Sequence, residues 1–168
     1  MTLKTILTTI LLVLTLHSNG QDLWETWDKK YREKNYKELI SNEKQYADSV
    51  EQNKEIPQYY ARLDKYKITA KLIGKTRPID SEVLMSVKRV YKLFISSPNQ
   101  LDEFIKNEYL FEIDGLEVWI PIQIQLEKPL EKEIEKGTET ILYCLFLNEH
   151  SRQGQLFNTL LISEFRKE

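Results

Sequence analysis

YLFEIDGLEVWIPIQI, residues Tyr109–Ile124, is the stretch from which the rest of the chain is read. Two alternating runs flank Asp114-Gly115, a pair suited to the positive φ angles of a type I′ hairpin turn. Folding about that pair sets Ile113 against Leu116, Phe111 against Val118 and Tyr109 against Ile120 on one face, which Ile122 and Ile124 continue. The opposite face sets Leu110 against Trp119 and Glu112 against Glu117. Like charges directly opposed are destabilising by a few tenths of a kcal/mol, so the two glutamates belong in water. A one-residue slip would turn the whole apolar set outward, which fixes the register.

Downstream, Pro129 suits the first turn of a helix, with Leu130 and Ile134 as its buried stripe and Gly137 at its end. Thr140–Leu147 (TILYCLFL) is apolar on both faces, the pattern of a strand covered on each side. Residues 149–154 (EHSRQG) read as a polar turn, and Leu156–Phe165 as the last strand, with a bulge near Asn158. Upstream, Val83–Ile95 is rich in Val, Tyr and Ile and reads as a strand. Pro98-Asn99 then opens a short helix with Leu101, Phe104 and Ile105 inward, and residues 75–81 (KTRPIDS) form a joint.

Residues 22–73 carry a helical pattern broken at Asn35 and Pro57. The expected helices carry Leu23, Trp24, Trp27 and Tyr31; then Tyr36, Leu39, Ile40, Tyr46, Ala47 and Val50; then Tyr59, Tyr60, Leu63, Tyr66, Ile68, Ala70 and Leu72, with Gly74 as C′ residue. Trp24 and Tyr59 are 35 residues apart, as are Tyr31 and Tyr66. That interval resembles the ~34-residue period of tetratricopeptide arrays, although the Leu-Gly and Ala positions of that family have no counterpart here. The other reading of the same residues is a plain helical hairpin plus one helix packed on a sheet.

The expected fold class is α+β: a three-helix segment over 21–75 packed on a small antiparallel β domain over 76–168 with two short helices. Strand, hairpin, helix and two long strands is also the order of a five-stranded OB-type barrel, which residues 83–166 resemble in topology. A curved sheet of the NTF2 or cystatin type is the alternative.

Lys4 followed by the apolar run Ile6–Leu16, with Ser18 and Gly20 as small residues, reads as a signal peptide over 1–20, cut before Gln21. No cysteine stands at the cut to take a lipid, and no later apolar run reaches membrane-spanning length. The expectation is an exported protein, periplasmic or extracellular, with no integral membrane segment after signal removal. The formal charge of the full chain, −2, becomes −3 when Lys4 leaves with the signal, and both are mild. With a single cysteine, Cys144, no intramolecular disulfide can form, and stability must come from the apolar core.

Chemistry-bearing patterns are scarce. Cys144 and His150 form the one nucleophile–base combination left once His17 departs, but Cys144 sits in the most apolar strand, where thiols are inert filler. One His and one Cys make no zinc site of the usual type, and no calcium-loop pattern, glycine-rich phosphate loop or G-x-S-x-G occurs. No cofactor and no metal are expected. Charge is uneven: nine Lys/Arg face three acids between Arg62 and Lys92, and twelve acids face four lysines between Asp102 and Glu149. The basic stretch, with Lys88, Arg89 and Lys92, reads either as a strip for an anionic partner or as the complement of the acidic stretch. The acidic β domain argues against nucleic acid. Leu110, Trp119 and Pro121 form an apolar patch able to seat a peptide, unless a helical segment covers them. A non-enzymatic binding or assembly module of the bacterial cell envelope, with a protein or peptide partner, is the first functional expectation. A small-ligand carrier or enzyme with a pocket in a cone-shaped sheet is the second.

Alkylation of the native protein tests the Cys144/His150 pair. The expected result is a thiol that reacts only after denaturation; a native thiol that reacts at neutral pH would restore the dyad.

Overall fold

The computed structural model describes residues 24–56, 59–94 and 101–167, so the signal-peptide expectation over 1–20 lies outside the described residues. The chain divides into two compact units, residues 1–32 and 33–168. Within the first, residues 24–30 are helical (α1), and the Trp27 and Tyr31 rings sit 5.1 Å apart. The remaining elements in chain order are β1 (Arg32–Glu33), α2 (Tyr36–Gln52), β2 (Tyr59–Pro78), α3 (Ser81–Phe94), α4 (Leu101–Phe104), β3 (Ile105–Ile113), β4 (Leu116–Gln123), α5 (Ile124–Glu133), β5 (Glu139–Ser151) and β6 (Phe157–Lys167).

The fold is mixed α+β, with a six-stranded sheet in the order β1-β2-β3-β4-β6-β5 and an additional β2–β5 pairing. All the ladders among β2–β6 are antiparallel except β4–β6, which meet in one parallel pair, Ile122 with Ile162. The sheet therefore curls round on itself without closing into a regular barrel.

The hairpin forms in the expected register, with Tyr109–Ile120, Leu110–Trp119, Phe111–Val118, Glu112–Glu117 and Ile113–Leu116 opposed. Asp114 and Gly115 take φ of 52° and 77°, the left-handed pair that the turn requires. Both glutamates are exposed.

Two expected elements exchange type. Residues 59–72 form the first part of β2 and not a third helix, which removes the tetratricopeptide resemblance over that segment. Tyr66, Ile68, Ala70 and Leu72 alternate with Lys65, Lys67, Thr69 and Lys71, and the first four are buried. That period of two puts one face against a core, where a helix would bring lysines inward. Residues 81–94 form helix α3 and not a strand. Asp80 caps it, its Oδ1 accepting from the N–H of Glu82 at 2.9 Å and of Val83 at 3.2 Å, and Val87 and Val90 form a fully buried stripe.

Smaller differences follow from the same forces. β4 ends at Gln123, so Ile124 opens α5 and is exposed, and Pro129 lies inside α5 and not in its first turn. Leu130 and Ile134 are buried as the stripe requires, whereas Phe104 points outward from α4. β5 runs on to Ser151, so residues 149–151 are strand and not turn. The register shift in the β5–β6 ladder falls between Tyr143 and Cys144, opposite residues 162–164, and not near Asn158.

β2 is twenty residues long and serves two partners. Tyr59–Lys71 pairs with β5 and Lys71–Pro78 with β3, and the β3 ladder shifts register between Leu72 and Thr76. Gly74, at φ 77°, sits in that shift and lets the strand bend. The main core lies inside the curl, where Tyr66, Ile68, Leu142, Cys144 and Phe146 meet Phe111, Ile113, Ile120, Ile122, Leu160 and Ile162 under α2 and α5. A second cluster lies on the outer face, where Val87 and Val90 of α3 pack with Leu101, Ile105, Leu147 and Leu161.

Helix α2 is held at both ends by distant segments. Asn35 Oδ1 accepts from Glu38 N–H at 2.8 Å, and Asp114 Oδ2 accepts from the N–H groups of Tyr36 at 2.9 Å and Lys37 at 3.2 Å. The hairpin turn thus caps a helix 78 residues earlier. At the other end the Arg152 guanidinium donates to the carbonyls of Val50 at 3.1 Å, Asn53 at 2.8 Å and Ile56 at 3.2 Å.

Asp114→Ala removes that acceptor and strains a left-handed position. The expected loss is about 1–2 kcal/mol, or roughly 2–8 °C of melting temperature. Asp114→Asn, which keeps an oxygen and tolerates the turn, should lose less than half as much. A wild-type melting temperature for the alanine variant would contradict the cap.

Candidate functional site

Even-numbered residues of β2 and β5 face the inside of the curl, and along both strands this face changes character. Leu142, Cys144 and Phe146 continue into Asn148 and His150, opposite Arg62 and Tyr60 respectively. Helix α2 crosses this polar end, bringing Glu43, Ala47, Val50 and Glu51 over it at helical spacing. Glu43 is buried in that stripe because the Arg62 guanidinium meets its carboxylate. Arg62 Nε also stands 2.7 Å from Asp64, and the guanidinium lies 5.7 Å from the Phe146 ring centre.

Around His150 the contacts tighten. The Tyr60 ring stands edge-on to the imidazole at 6.0 Å, and Tyr46 stands edge-on to Tyr60 at 4.7 Å. His150 Nε2 lies 2.9 Å from Glu51 Oε1 without forming a hydrogen bond to it, and that oxygen accepts from Gln153 N–H at 2.8 Å. Asn148 Nδ2 donates to Asn158 Oδ1 at 2.6 Å. Burial pushes the Tyr60 hydroxyl up to about 12; Glu43 adds to the rise and the facing Asn148 amide works against it. Tyr60 Oη, Asn148 Oδ1 and both ring nitrogens of His150 are buried without a protein hydrogen-bond partner. Such atoms are rare in folded proteins.

Beside this group, between α2 and the β5–β6 hairpin, opens a cleft of about 510 Å³. Ile40, Ala47 and Leu156 give it an apolar wall, and His150, Glu51 and Asn158 a polar one. His150, only 4% exposed, belongs to both the cleft wall and the buried polar group.

On the outer face of β5, Glu149 forms a separate cluster. Its carboxylate accepts from Arg89 Nε at 2.6 Å and Nη2 at 2.8 Å, from Ser86 Oγ at 2.6 Å and from Tyr59 Oη at 3.2 Å. Burial alone would raise its pKa, but the bonds from Arg89 and Ser86 outweigh it and hold the carboxyl below the ordinary 4.5. Two residues of α3 are thereby tied to β5.

The residues singled out from sequence do not converge. Arg89 is engaged with Glu149, Lys88 with Asp102, and Lys92 is exposed on the last turn of α3. Lys71 pairs with Glu139 and Arg77 with Glu108, so several cations of the basic stretch meet acids of the acidic stretch. Leu110 and Pro121 are buried, and Trp119 is half-buried under the Arg77 guanidinium, 4.3 Å from its ring centre. Cys144 and His150 share a strand face but stand six residues apart, roughly 20 Å, and burial pushes the Cys144 thiol up. Sequence reasoning missed Tyr60, Asn148, Glu43 and Glu51. The signal that could have found the strand residues is the alternation Leu142, Cys144, Phe146, Asn148, His150, which runs through the supposed turn.

Among the described residues, no group of three or more His, Cys, Asp or Glu is placed to hold a metal ion, and no helix is long and apolar enough to cross a membrane. Comparison of the chain with protein-family models, with curated proteins and with solved structures finds no match in any of the three.

The Glu149 cluster sets a pH dependence. Because its folded carboxyl titrates below 4.5, the stabilisation it gives is complete above that pH and is lost as the pH falls through the folded value. Glu149→Gln should lower stability at pH 7, where hydrogen bonds to a charged group contribute about 1.5–3 kcal/mol. Urea unfolding of the two proteins should therefore converge as the pH drops below 4.5. A difference that stays constant down to pH 3 would contradict the assignment.

Proposed function

We propose that the protein is an exported binding or assembly module of a bacterial cell envelope, without enzymatic activity of its own, built on an OB-like ring. The observation that carries this reading is the filled interior. Phe111, Ile120, Ile122, Leu142, Cys144, Phe146 and Ile162 are fully buried against one another inside the curl, where a cone-shaped carrier would keep its ligand cavity. A partner would therefore be met at the surface.

The OB-like reading draws support from the strand order. β2, β3, β4, β6 and β5 follow one another and β5 returns to β2; α5 falls between the third and fourth ring strands, and β4–β6 is parallel. A five-stranded, partly open ring has this character. The first ring strand in this reading is β2, with α3 and α4 inserted before β3, and not the segment 83–95. The export reading rests on the charged, apolar and small-residue order of residues 1–20.

One observation favours the second reading, a small-ligand carrier. It is the cleft at His150, which lies on the flank of the ring and not in the mouth of a cone.

The address is tested by expressing the full chain with a C-terminal tag in a bacterial host and sequencing the N-terminus of the product in each fraction. The expected product is exported and begins at Gln21. An uncleaved chain confined to the cytoplasm would overturn the export reading.

A further inference from the structure

The unpartnered atoms of Tyr60, Asn148 and His150 are closed off from solvent and offer a ligand no surface. The apolar side chains Leu93, Phe94 and Phe104 beside α4 have nothing to show what covers them. The outer edge of β4 differs from both, because the hairpin register fixes which backbone groups stand there and the side chains around them fix what fits.

We infer that the outer edge of β4, residues 116–120, pairs with the same edge of a second copy of this chain, making a two-fold symmetric dimer with β4 antiparallel to β4. A two-residue turn makes its flanking residues, Ile113 and Leu116, a hydrogen-bonded pair, and the pairs alternate from there. The backbone groups of Leu116, Val118 and Ile120 therefore face β3, and those of Glu117 and Trp119 face the other way. On that side β4 meets β6 only at Ile122, opposite Ile162. No strand among the described residues pairs with Glu117 or Trp119 on the side away from β3.

Two-fold symmetry leaves few registers, because Glu117 and Trp119 must meet outward-facing groups of the second copy. A register centred on Glu117 opposes two glutamates. One centred on Trp119 sets Glu117 against Pro121, which has no N–H to give. Centred on Val118, Glu117 exchanges both backbone bonds with Trp119 of the second copy, and Trp119 does the same with Glu117 of the second copy. That register also joins opposite charges. The Arg77 guanidinium lies 4.3 Å from the Trp119 ring centre, with its Nε held by Glu108 at 2.8 Å. Glu117 is exposed, faces the like-charged Glu112 across the hairpin and has no ion pair among the described residues. In the dimer each Glu117 lies beside Trp119 of the other copy, within reach of the arginine that covers that ring. Leu116, an exposed apolar side chain on the other face, comes opposite Ile120 of the second copy. The inference goes beyond the binding-module reading and does not depend on it.

The test is sedimentation equilibrium of the purified full chain over about 1–500 µM, with hydrogen exchange of its backbone amides at both ends of that range. Monomer and dimer should interconvert within it. The Glu117 and Trp119 amides should be open to exchange where the chain is monomeric and protected where it is dimeric, whereas the Val118 amide, bonded to β3, is protected in both. Glu117→Pro removes an outward N–H without touching the β3 ladder and should weaken the dimer at least about tenfold. Glu117→Lys should weaken it as much by facing Arg77. The same change gives Glu112 an opposite charge across the hairpin, so the dilute variant should melt no lower than wild type. That split separates lost pairing from a damaged hairpin. A chain that stays monomeric at the highest concentration, a dimer that survives both variants, or a dimer whose Glu117 and Trp119 amides stay open would each overturn the inference. So would a monomer in which those two amides become protected on adding bacterial envelope extract, which would assign the edge to a different partner. A dimer formed by an uncleaved, cytoplasmic chain removes only the address proposed above.

Discussion

Everything in the 33–168 unit depends on β2 being shared. One strand pairs with β5 over its first part and with β3 over its last, and Lys71 is opposed to Glu139 on one side and Glu112 on the other. Each part of the strand thus has a long antiparallel ladder on one edge, and the two ladders hand over at Lys71. The bend at Gly74 turns what would be two sheets into one curled sheet. Strand parity then decides which residues enter the main core and which meet α3. Two cores on opposite faces of the same strands follow from that single assignment.

The same parity produces the candidate site. The inward face of β5 is apolar where the curl closes over it and polar where it runs out under α2. Helix α2 is fixed there by Asp114 at its start and Arg152 at its end, so the cleft has a wall whose ends are tied down. The charges that looked like a docking strip are largely used within the fold. Arg77 lies between the buried Glu108 carboxylate and the Trp119 ring, and Arg89 is the partner of Glu149. Removing either arginine would leave a carboxylate buried without its cation, a stronger penalty than losing a surface pair.

The hairpin was legible because its signal is local. Asp114-Gly115 and the alternation on either side need no distant partner to be read, and the opposed pairs from Tyr109–Ile120 to Ile113–Leu116 followed from them, whereas the register shift between Ile105 and Glu108 did not. β2 was not legible as a strand because Tyr59, Leu63, Tyr66 and Ala70 also satisfy a helical spacing, and only Tyr66–Leu72 alternates cleanly. Residues 83–95 misled in the opposite sense. Val, Tyr and Phe argue for a strand by composition, but the Asp80 cap and the Val83, Val87, Val90 spacing argue for a helix, and burial against Leu147 and Leu161 favours the latter. The candidate site was hidden for a different reason. Tyr60 and His150 lie 90 positions apart and meet only because β2 pairs with β5, so a chain read with a helix over 59–72 cannot bring them together.

Native-state hydrogen exchange along residues 59–78 tests the shared strand most directly. The expected result is that hydrogen-bonded amides on both sides of Gly74 are protected and exchange only through the opening that also releases β5. Protection that ends at Gly74, with the two halves exchanging at unrelated free energies, would contradict the account. So would a helical protection pattern over 59–72.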